Sequence, residues 1–514
     1  MDLVLHSISL SILLTAPVVY IVALAVHRLY LSPVSKFPGP KLAALTFWYE
    51  FYYDVICKGR YTWKIQQLHR QYGPIIRINP FEIHVDDHHF YDEVYVGHGR
   101  RTDKWQWSAK MFGTSQAAVG TTNHELHRLR RSALNPFFSK RSVVRLEPII
   151  HANVVKLRSK LSEWSGTRKP VNLSDAFTCL SADVIGNYAF GQSYNFINSP
   201  NFEPGWRKFM MDLSAGTMLM KQFGWAYRML NVLPEAIISL LHPLTRQLIN
   251  LRQSIAKQIR AVQDDLSGET KSEREHPTIF HQLLTSDLPP VELSLPRLTD
   301  EALTIIGAGT VTTAHTLTTI TYHILSDPSK LNNLRTELAT LTSDSPNWTE
   351  LEHLPYLSAC ISEGLRLSYG VSHRLQRVSP DSELYYHDPT AGKVLTIPRG
   401  TPVSMTSMNI HNNPNLFPCP EEFLPERWLS TLDSHPSEAR RWLVPFSRGS
   451  RSCVGMNLAY AELFLTIGSL FAPAEAGGVN MELFETDDSD VKVVHDFFNP
   501  SARLDSKGVR VLVS

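Results

Sequence analysis

Paired cysteines, net charge, internal repeats and biased tracts are what this chain of 514 residues has little of. Its five cysteines, Cys57, Cys179, Cys360, Cys419 and Cys453, are odd in number, far apart and free of any C-x-x-C pair. That excludes a disulfide framework and a zinc site of the finger or ribbon type, and it points to a reducing compartment. Lys and Arg number 50 against 49 Asp and Glu, a formal charge of +1. Without a broad basic field the chain cannot steer nucleic acid, so no nucleic acid is expected among its partners. No sequence period repeats and no low-complexity tract occurs, which excludes a solenoid and extended disorder. What remains is 43% hydrophobic and 19% charged, a composition able to bury a large core in a chain longer than the usual single-core domain.

The longest apolar run lies at the amino terminus. Residues 8–26 are apolar or small except for Ser9, Ser11, Thr15 and Tyr20, and as a helix they would extend about 28 Å, close to the ~30 Å hydrocarbon core. A cleaved signal peptide is the competing reading. No Lys or Arg precedes the run, however, and His27 and Arg28 follow it in place of a small-residue cleavage site. The expectation is a transmembrane anchor over residues 1–31 and a folded body over 32–514. Arg28, Lys36 and Lys41 follow the span while Asp2 precedes it, which favours a cytosolic body. In that orientation the sequons at Asn172 and Asn347 never meet the luminal transferase and read as ordinary surface residues. Phe37-Pro-Gly-Pro40 reads as a stiff turn acting as a hinge.

Beyond the hinge, helix-period patterns predominate, with strand candidates at 75–78, 82–85 and 394–397. The fold class expected is mainly α with small β-sheets. Thr299 as N-cap, Asp300 and Glu301 in a first turn and Asp327-Pro328 as a stop bound a helix of about 27 residues. Its centre, Gly307-Ala-Gly-Thr-Val-Thr-Thr313, is rich in residues that helices tolerate poorly, so burial or function must compensate.

The most specific pattern is Phe446-Ser-Arg-Gly449-Ser-Arg451-Ser-Cys453-Val-Gly455, which runs into a helical pattern over 456–463. Its five fixed positions would recur by chance in such a chain roughly 3 times in 100,000, so it is not background. A loop feeding a helix amino terminus lowers the pKa of a cysteine there and aims N–H donors at its sulfur. Gly449 and Gly455 would let the backbone approach a flat cofactor, Phe446 would shield the sulfur from water, and Arg451 would pair with an anionic propionate. The bland alternative makes Cys453 a small buried hydrophobe.

In these motifs, and over its length from the anchor to Pro500, the sequence resembles the cytochrome P-450 family of haem-thiolate monooxygenases. The resemblance implies the fold of that family and haem b, with Cys453 as the axial ligand of the iron; thiolate ligation favours O–O cleavage. Glu363-Gly-Leu-Arg366 matches the family's E-x-x-R, and Phe423-Leu-Pro-Glu-Arg427-Trp428 its later arginine motif. Glu363, Arg366 and Arg427 are then expected to lock together beneath the haem, although an isolated i,i+3 ion pair would carry nothing. Residues 127–139 resemble the C helix, whose W-x-x-x-R binds the propionates; Arg131 fills the arginine position and His127 stands where many members have tryptophan. Arg128 and Arg130 are expected on a basic face toward the reductase. Residues 307–313 resemble the oxygen-binding helix, A/G-G-x-D/E-T. Ala308 and Gly309 are then expected to leave room over the iron and the Thr312 hydroxyl to guide protons, while Val311 replaces the usual carboxylate. Ala472-Pro-Ala474 departs from many fungal relatives, and nothing in the sequence explains it.

Regions that line the pocket in this family carry Trp105, Trp107, Met111, Phe112, Met218, Met220 and Phe223 here, so an apolar pocket is expected. The segments 38–44, 133–140 and 483–496 most resemble fungal secondary-metabolism members, trichodiene oxygenase among them. The implied reaction is insertion of one oxygen atom from O2 into a small apolar terpenoid or polyketide-derived metabolite. Its electrons would come from NADPH through a cytochrome reductase at the endoplasmic reticulum membrane. Two alternatives stand beside it: a haem-thiolate isomerase or dehydratase working without O2 and reductase, and a non-catalytic haem-binding protein.

Overall fold

The computed structural model describes residues 15–97, 99–225, 243–268, 278–341, 343, 345–389, 392–429 and 436–514. Its longer helices are α1 (Tyr61–Tyr72), α2 (His124–Leu134), α3 (Lys140–Ser162), α4 (Leu173–Phe190), α5 (Pro204–Gln222), α6 (Pro243–Leu266), α7 (Leu295–Leu325), α8 (Pro355–Ser368) and α9 (Met456–Leu470). The strands are β1 (Ile75–Arg77), β2 (Ile83–Val85), β3 (Val171–Asn172), β4 (Arg377–Val378), β5 (Leu384–Asp388), β6 (Lys393–Ile397), β7 (Pro402–Ser404), β8 (Met481–Leu483), β9 (His495–Phe497), β10 (Asn499–Ser501) and β11 (Arg510–Val513). One sheet runs β1-β2-β7-β4, a second β3-β11-β8, and β5-β6 and β9-β10 are hairpins. The architecture is the expected one, mainly helical with small sheets, and the three strand expectations fall on β1, β2 and β6.

α7 is the axis of the molecule and packs against α4, α6, α8 and α9. It reaches from one side of the main core to the other because a 31-residue helix spans about 46 Å. α4 has almost no exposed face, as expected of a helix apolar nearly all round. The threonines that weaken the helix propensity of α7 are accommodated by back-bonding: Thr310, Thr312 and Thr318 donate to the carbonyls of Ile306, Ala308 and Ala314 at 2.7, 2.9 and 2.8 Å.

Several sequence expectations are corrected here. α7 begins with Leu295 after Ser294, with proline in its first turn, one turn before the expected Thr299 cap. Asp300 and Glu301 are buried and spent on tertiary ties instead: Gln116 N–H donates to Asp300 Oδ2 (3.2 Å) and Ala118 N–H to Glu301 Oε2 (3.0 Å). The Pro-Gly-Pro segment is seated on β1 and is no hinge. Arg77 N–H donates to Pro38 O at 2.7 Å, and a Cβ on Gly39 would lie 2.2 Å from Arg77 O. The two sequon asparagines are surface residues as expected, Asn347 exposed and Asn172 half-buried, and they also cap helices, Asn172 α4 and Asn347 in a capping box with Glu350.

Of the expected anchor, residues 1–14 lie outside the described residues, and 15–26 are helical. No helix among the described residues is long and apolar enough to cross a membrane.

Candidate active site

The loop before α9 is shaped by its own backbone. Cys453 N–H donates to Phe446 O at 2.9 Å, and the Phe446 ring packs on Tyr460 with centroids 5.3 Å apart. Gly455 caps α9, and its N–H faces the Cys453 sulfur. The side chain of Cys453 is open to a large cavity; no other cysteine lines that cavity. Two expectations change. Gly449, at φ +78°, is required by chain packing, since its missing Cβ would sit 2.2 Å from Val96 O; it lines a smaller pocket shared with His127, Arg131 and Ser452. The Cys453 thiol is pushed up from its ordinary pKa by burial, which outweighs the Gly455 N–H and the Arg131 charge. The loop alone therefore does not create a thiolate; a coordinated metal ion, which deprotonates a thiol outright, would.

Beside the cysteine the cavity wall is cationic. Arg131, Arg451, Lys104 and Arg377 all line it, and burial lowers the pKa of each, Arg451 to about 9. Among the described residues none of the four has a carboxylate at salt-bridge distance. Arg131 donates to Ser452 O (2.7 Å) and Asn135 Oδ1 (2.6 Å); Arg451 donates to Thr121 O and Thr122 O, each at 2.7 Å. His127 is pushed down to about 2 by burial and by Arg451, Lys104, Arg131 and Arg377, so it is a neutral donor or acceptor. Arg377, which is buried, and the half-buried Lys104, Arg131 and Arg451, with no carboxylate beside them, fit a ligand carrying two carboxylates, as the haem propionates do. Lys104 and Arg377 escaped sequence reasoning because no local motif joins them to the others. Arg130, expected on an exposed basic face, is instead buried and paired with Glu292 at 2.7 Å; Arg128 is exposed.

Across the cavity lies the middle of α7. Gly307, Ala308, Val311 and Thr312 line the wall. A Cβ on Gly307 would meet nothing within 4 Å, whereas one on Gly309 would press on Ile185 at 2.9 Å. Gly307 and Ala308 are thus the residues whose small size keeps this wall open. Gly309 also lines the cavity and in addition lets α7 approach α4 at Ile185. The Thr312 hydroxyl donates to Ala308 O, and Val311 offers no proton.

The expected lock is assembled. Glu363, fully buried, accepts from Arg366 Nε and Nη2 at 2.9 and 2.7 Å, from Arg427 Nε at 3.0 Å, and also from Trp428 Nε1 and Leu424 N, each at 2.9 Å. Arg366 spends its remaining donors on the carbonyls of His411, Pro420 and Glu422. A carboxylate so saturated ties α8 to the segment that leads into the cysteine loop. Of the apolar residues expected at the pocket, Met111, Phe112 and Met220 line the cavity. Trp105 and Trp107 stack on Phe47, Phe223 packs on Trp48 and Phe51, and Met218 is buried elsewhere.

A cavity-facing cysteine at a helix start, a dry cationic wall beside it and a threonine-bearing helix opposite define a site of the haem-thiolate class. The sequence matches the cytochrome P450 family over residues 38–472, and the chain belongs to that family. It is 46% identical to cytochrome P450 monooxygenase MO6277 of Ascocoryne sarcoides, covering 96% of each chain. It is 42% identical to N-acetyltryptophan 6-hydroxylase ivoC of Emericella nidulans, over 99% of this chain and 98% of that one. Tryptophan 6-hydroxylase fscE of Fusarium equiseti is 41% identical over 96% and 94%. The protein is an oxidoreductase of a family that binds haem iron through a cysteine thiolate, and the residues of its cavity fit that group.

Proposed function

We propose that this P450 monooxygenase inserts one oxygen atom from O2 into a small, mainly apolar secondary metabolite of terpenoid or polyketide origin. The observation that carries the reading is the cavity itself, about 820 Å³, with Cys453 on one wall, Thr312 on another and mostly apolar side chains between. Cys453 would hold the haem iron through its sulfur, and Arg131, Arg451, Lys104 and Arg377 would hold the propionates, with His127 as a neutral partner. Haem bound there supplies reductive activation of dioxygen. The chain's own part is to exclude water, to orient the substrate and to hold a proton at Thr312 Oγ1. The relatives named as hydroxylases support oxygen insertion at carbon.

Electrons come from NADPH through a cytochrome reductase, and the body lies on the cytosolic face of the endoplasmic reticulum, held by the amino-terminal segment as a single-pass anchor. The membrane reading is supported by the 8–26 run and by Val18, Val19, Tyr20, Ile21 and Val22 exposed in the helical part of it. Exposed Trp48 and Trp225, joined through Phe223, add an apolar aromatic surface suited to a bilayer interface. The test is turnover of the metabolite that accumulates when the gene is deleted, using purified protein, reductase, NADPH and ¹⁸O2. One labelled oxygen per product is expected. Turnover without NADPH or label would establish the isomerase or dehydratase reading instead.

A further inference from the structure

The β9-β10 hairpin holds backbone strain on the cavity wall. Phe498 is its single tip residue, between the paired Phe497 and Asn499, and it sits at φ +71°, where a bulky side chain is a genuine outlier. The surroundings keep it there: Phe498 N–H donates to Asp496 Oδ1 at 3.0 Å, and Phe498 O accepts from Ser372 N–H at 3.1 Å. Strain fixed by its neighbours in this way gathers at ligand sites. What it achieves here is to put Phe498 and Asn499 side by side on the cavity wall.

Asn499 is half-buried, and its Nδ2 donates to Ser214 Oγ of α5 at 2.5 Å. Oδ1 of the same amide has no hydrogen-bond partner among the described residues, yet it keeps accessible surface. The unpaired Nε2 of His373, by contrast, is sealed in and cannot meet a ligand. Thr217 Oγ1 is spent on Ser214 O at 2.7 Å, and Met210, Leu213, Leu219 and Met220 of α5 make the neighbouring wall apolar. An amide oxygen has two lone pairs and does not titrate, so it accepts at every working pH. A ligand that fills this cavity displaces water from Oδ1 and leaves it unmatched unless the ligand itself brings a donor.

We propose that Asn499 is the polar contact of substrate recognition, its Oδ1 accepting a hydrogen bond from a hydroxyl or ring N–H on an otherwise apolar substrate. Ser214 acts through Asn499 as a positioning residue, holding the amide by its other end. The inference rests on the reading of the cavity as an apolar substrate site and adds to it the chemistry of the substrate's polar substituent. By fixing that substituent at the hairpin, Asn499 limits which carbons reach the cysteine wall.

The test compares two ligand pairs that differ only in the donor, borneol with its methyl ether and indole with 1-methylindole. Dissociation constants are measured on haem-loaded full-length protein by calorimetry and by shift of the haem absorption. The wild type is expected to favour the donor-bearing member of each pair about fivefold, the value of one ordinary hydrogen bond. Asn499→Leu, similar in shape but without an acceptor, should abolish that preference while leaving the affinity for the methylated members unchanged. Asn499→Asp keeps an acceptor in the same place and should retain the preference. Ser214→Ala frees the amide and should reduce it in part. Thr245→Val, which removes a hydroxyl elsewhere on the cavity wall, should leave it intact. An unchanged preference in Asn499→Leu, or an equal loss of affinity for both members of a pair, would overturn the assignment. So would loss of the preference in Thr245→Val instead. Binding of all four ligands by the wild type without preference for the donor would overturn the contact alone. Failure of all four to bind would overturn the apolar-site reading with it.

Discussion

At the scale of single residues, the chemistry of the site rests on which side chains can carry a proton in a dry cavity. Val311 cannot, so the relay falls to hydroxyls of α7 that line the cavity, Thr304, Thr313 and Thr316 among them, with Thr312 Oγ1, donating to Ala308 O, at the family's threonine position. Thr312→Ala is expected to uncouple the enzyme: NADPH consumption continues, product falls by about tenfold or more, and hydrogen peroxide rises. Simultaneous measurement of NADPH, product and peroxide checks this, and full coupling in the variant would remove Thr312 from the relay. Glu462, on α9 and also lining the cavity, is a further proton-bearing group. Burial raises it to about 8 against a small opposing effect from Ser181. Since its pKa is raised in the folded state, the stability it allows is fully present below pH ~4.5 and declines as pH rises toward 8, by an amount on the order of 4 kcal/mol. Glu462→Gln should thus match the wild type in Tm near pH 5 and exceed it progressively up to pH 8.5; a difference independent of pH would contradict the neutral buried acid. Residues such as Cys453, Arg131 and Glu363 were legible in the sequence because each sits in a motif with local spacing. Lys104 and Arg377 were not, because only the folded chain brings them to one cavity.

At the scale of elements, α7 shows how a helix boundary is misread when its charged residues serve tertiary ends. Asp300 and Glu301 look like first-turn residues, yet they accept from Gln116 and Ala118 N–H groups of the loop before α2. The same helix separates two glycines that look alike in sequence. Gly309 is where α7 meets Ile185 of α4, so Gly309→Ala should cost about 1–3 kcal/mol by overpacking, with Ile185→Val relieving part of it in a double-mutant cycle. Gly307→Ala should leave stability within about 0.5 kcal/mol of the wild type or raise it, since its Cβ meets open space and alanine favours the helix. Thermal or denaturant unfolding of the four variants settles the order, and equal costs at 307 and 309 would contradict the packing geometry.

At the scale of the whole molecule, the apolar amino-terminal run shares no motif with the haem site, and its described end is tied to the body where Arg77 donates to Arg28 O at 2.7 Å. Removing residues 1–31 is therefore expected to shift the protein from the membrane fraction toward the soluble one without loss of haem. The exposed Trp48 and Trp225 surface should leave some binding to lipid vesicles. Loss of haem on truncation would show that segment and core are coupled. The fold class was readable because helical periodicity dominates the body and the sheets are short. The seating of Pro38 and Gly39 on β1 was not, because proline and glycine mark a turn without saying what the turn packs against. The central claim, that this fold presents Cys453 as the thiolate ligand of haem, is tested most directly by the absorption spectrum of the reduced, carbon monoxide-bound protein. The wild type should show the red-shifted Soret band of thiolate ligation and Cys453→Ala should lack it; persistence of that band in the variant would contradict the assignment.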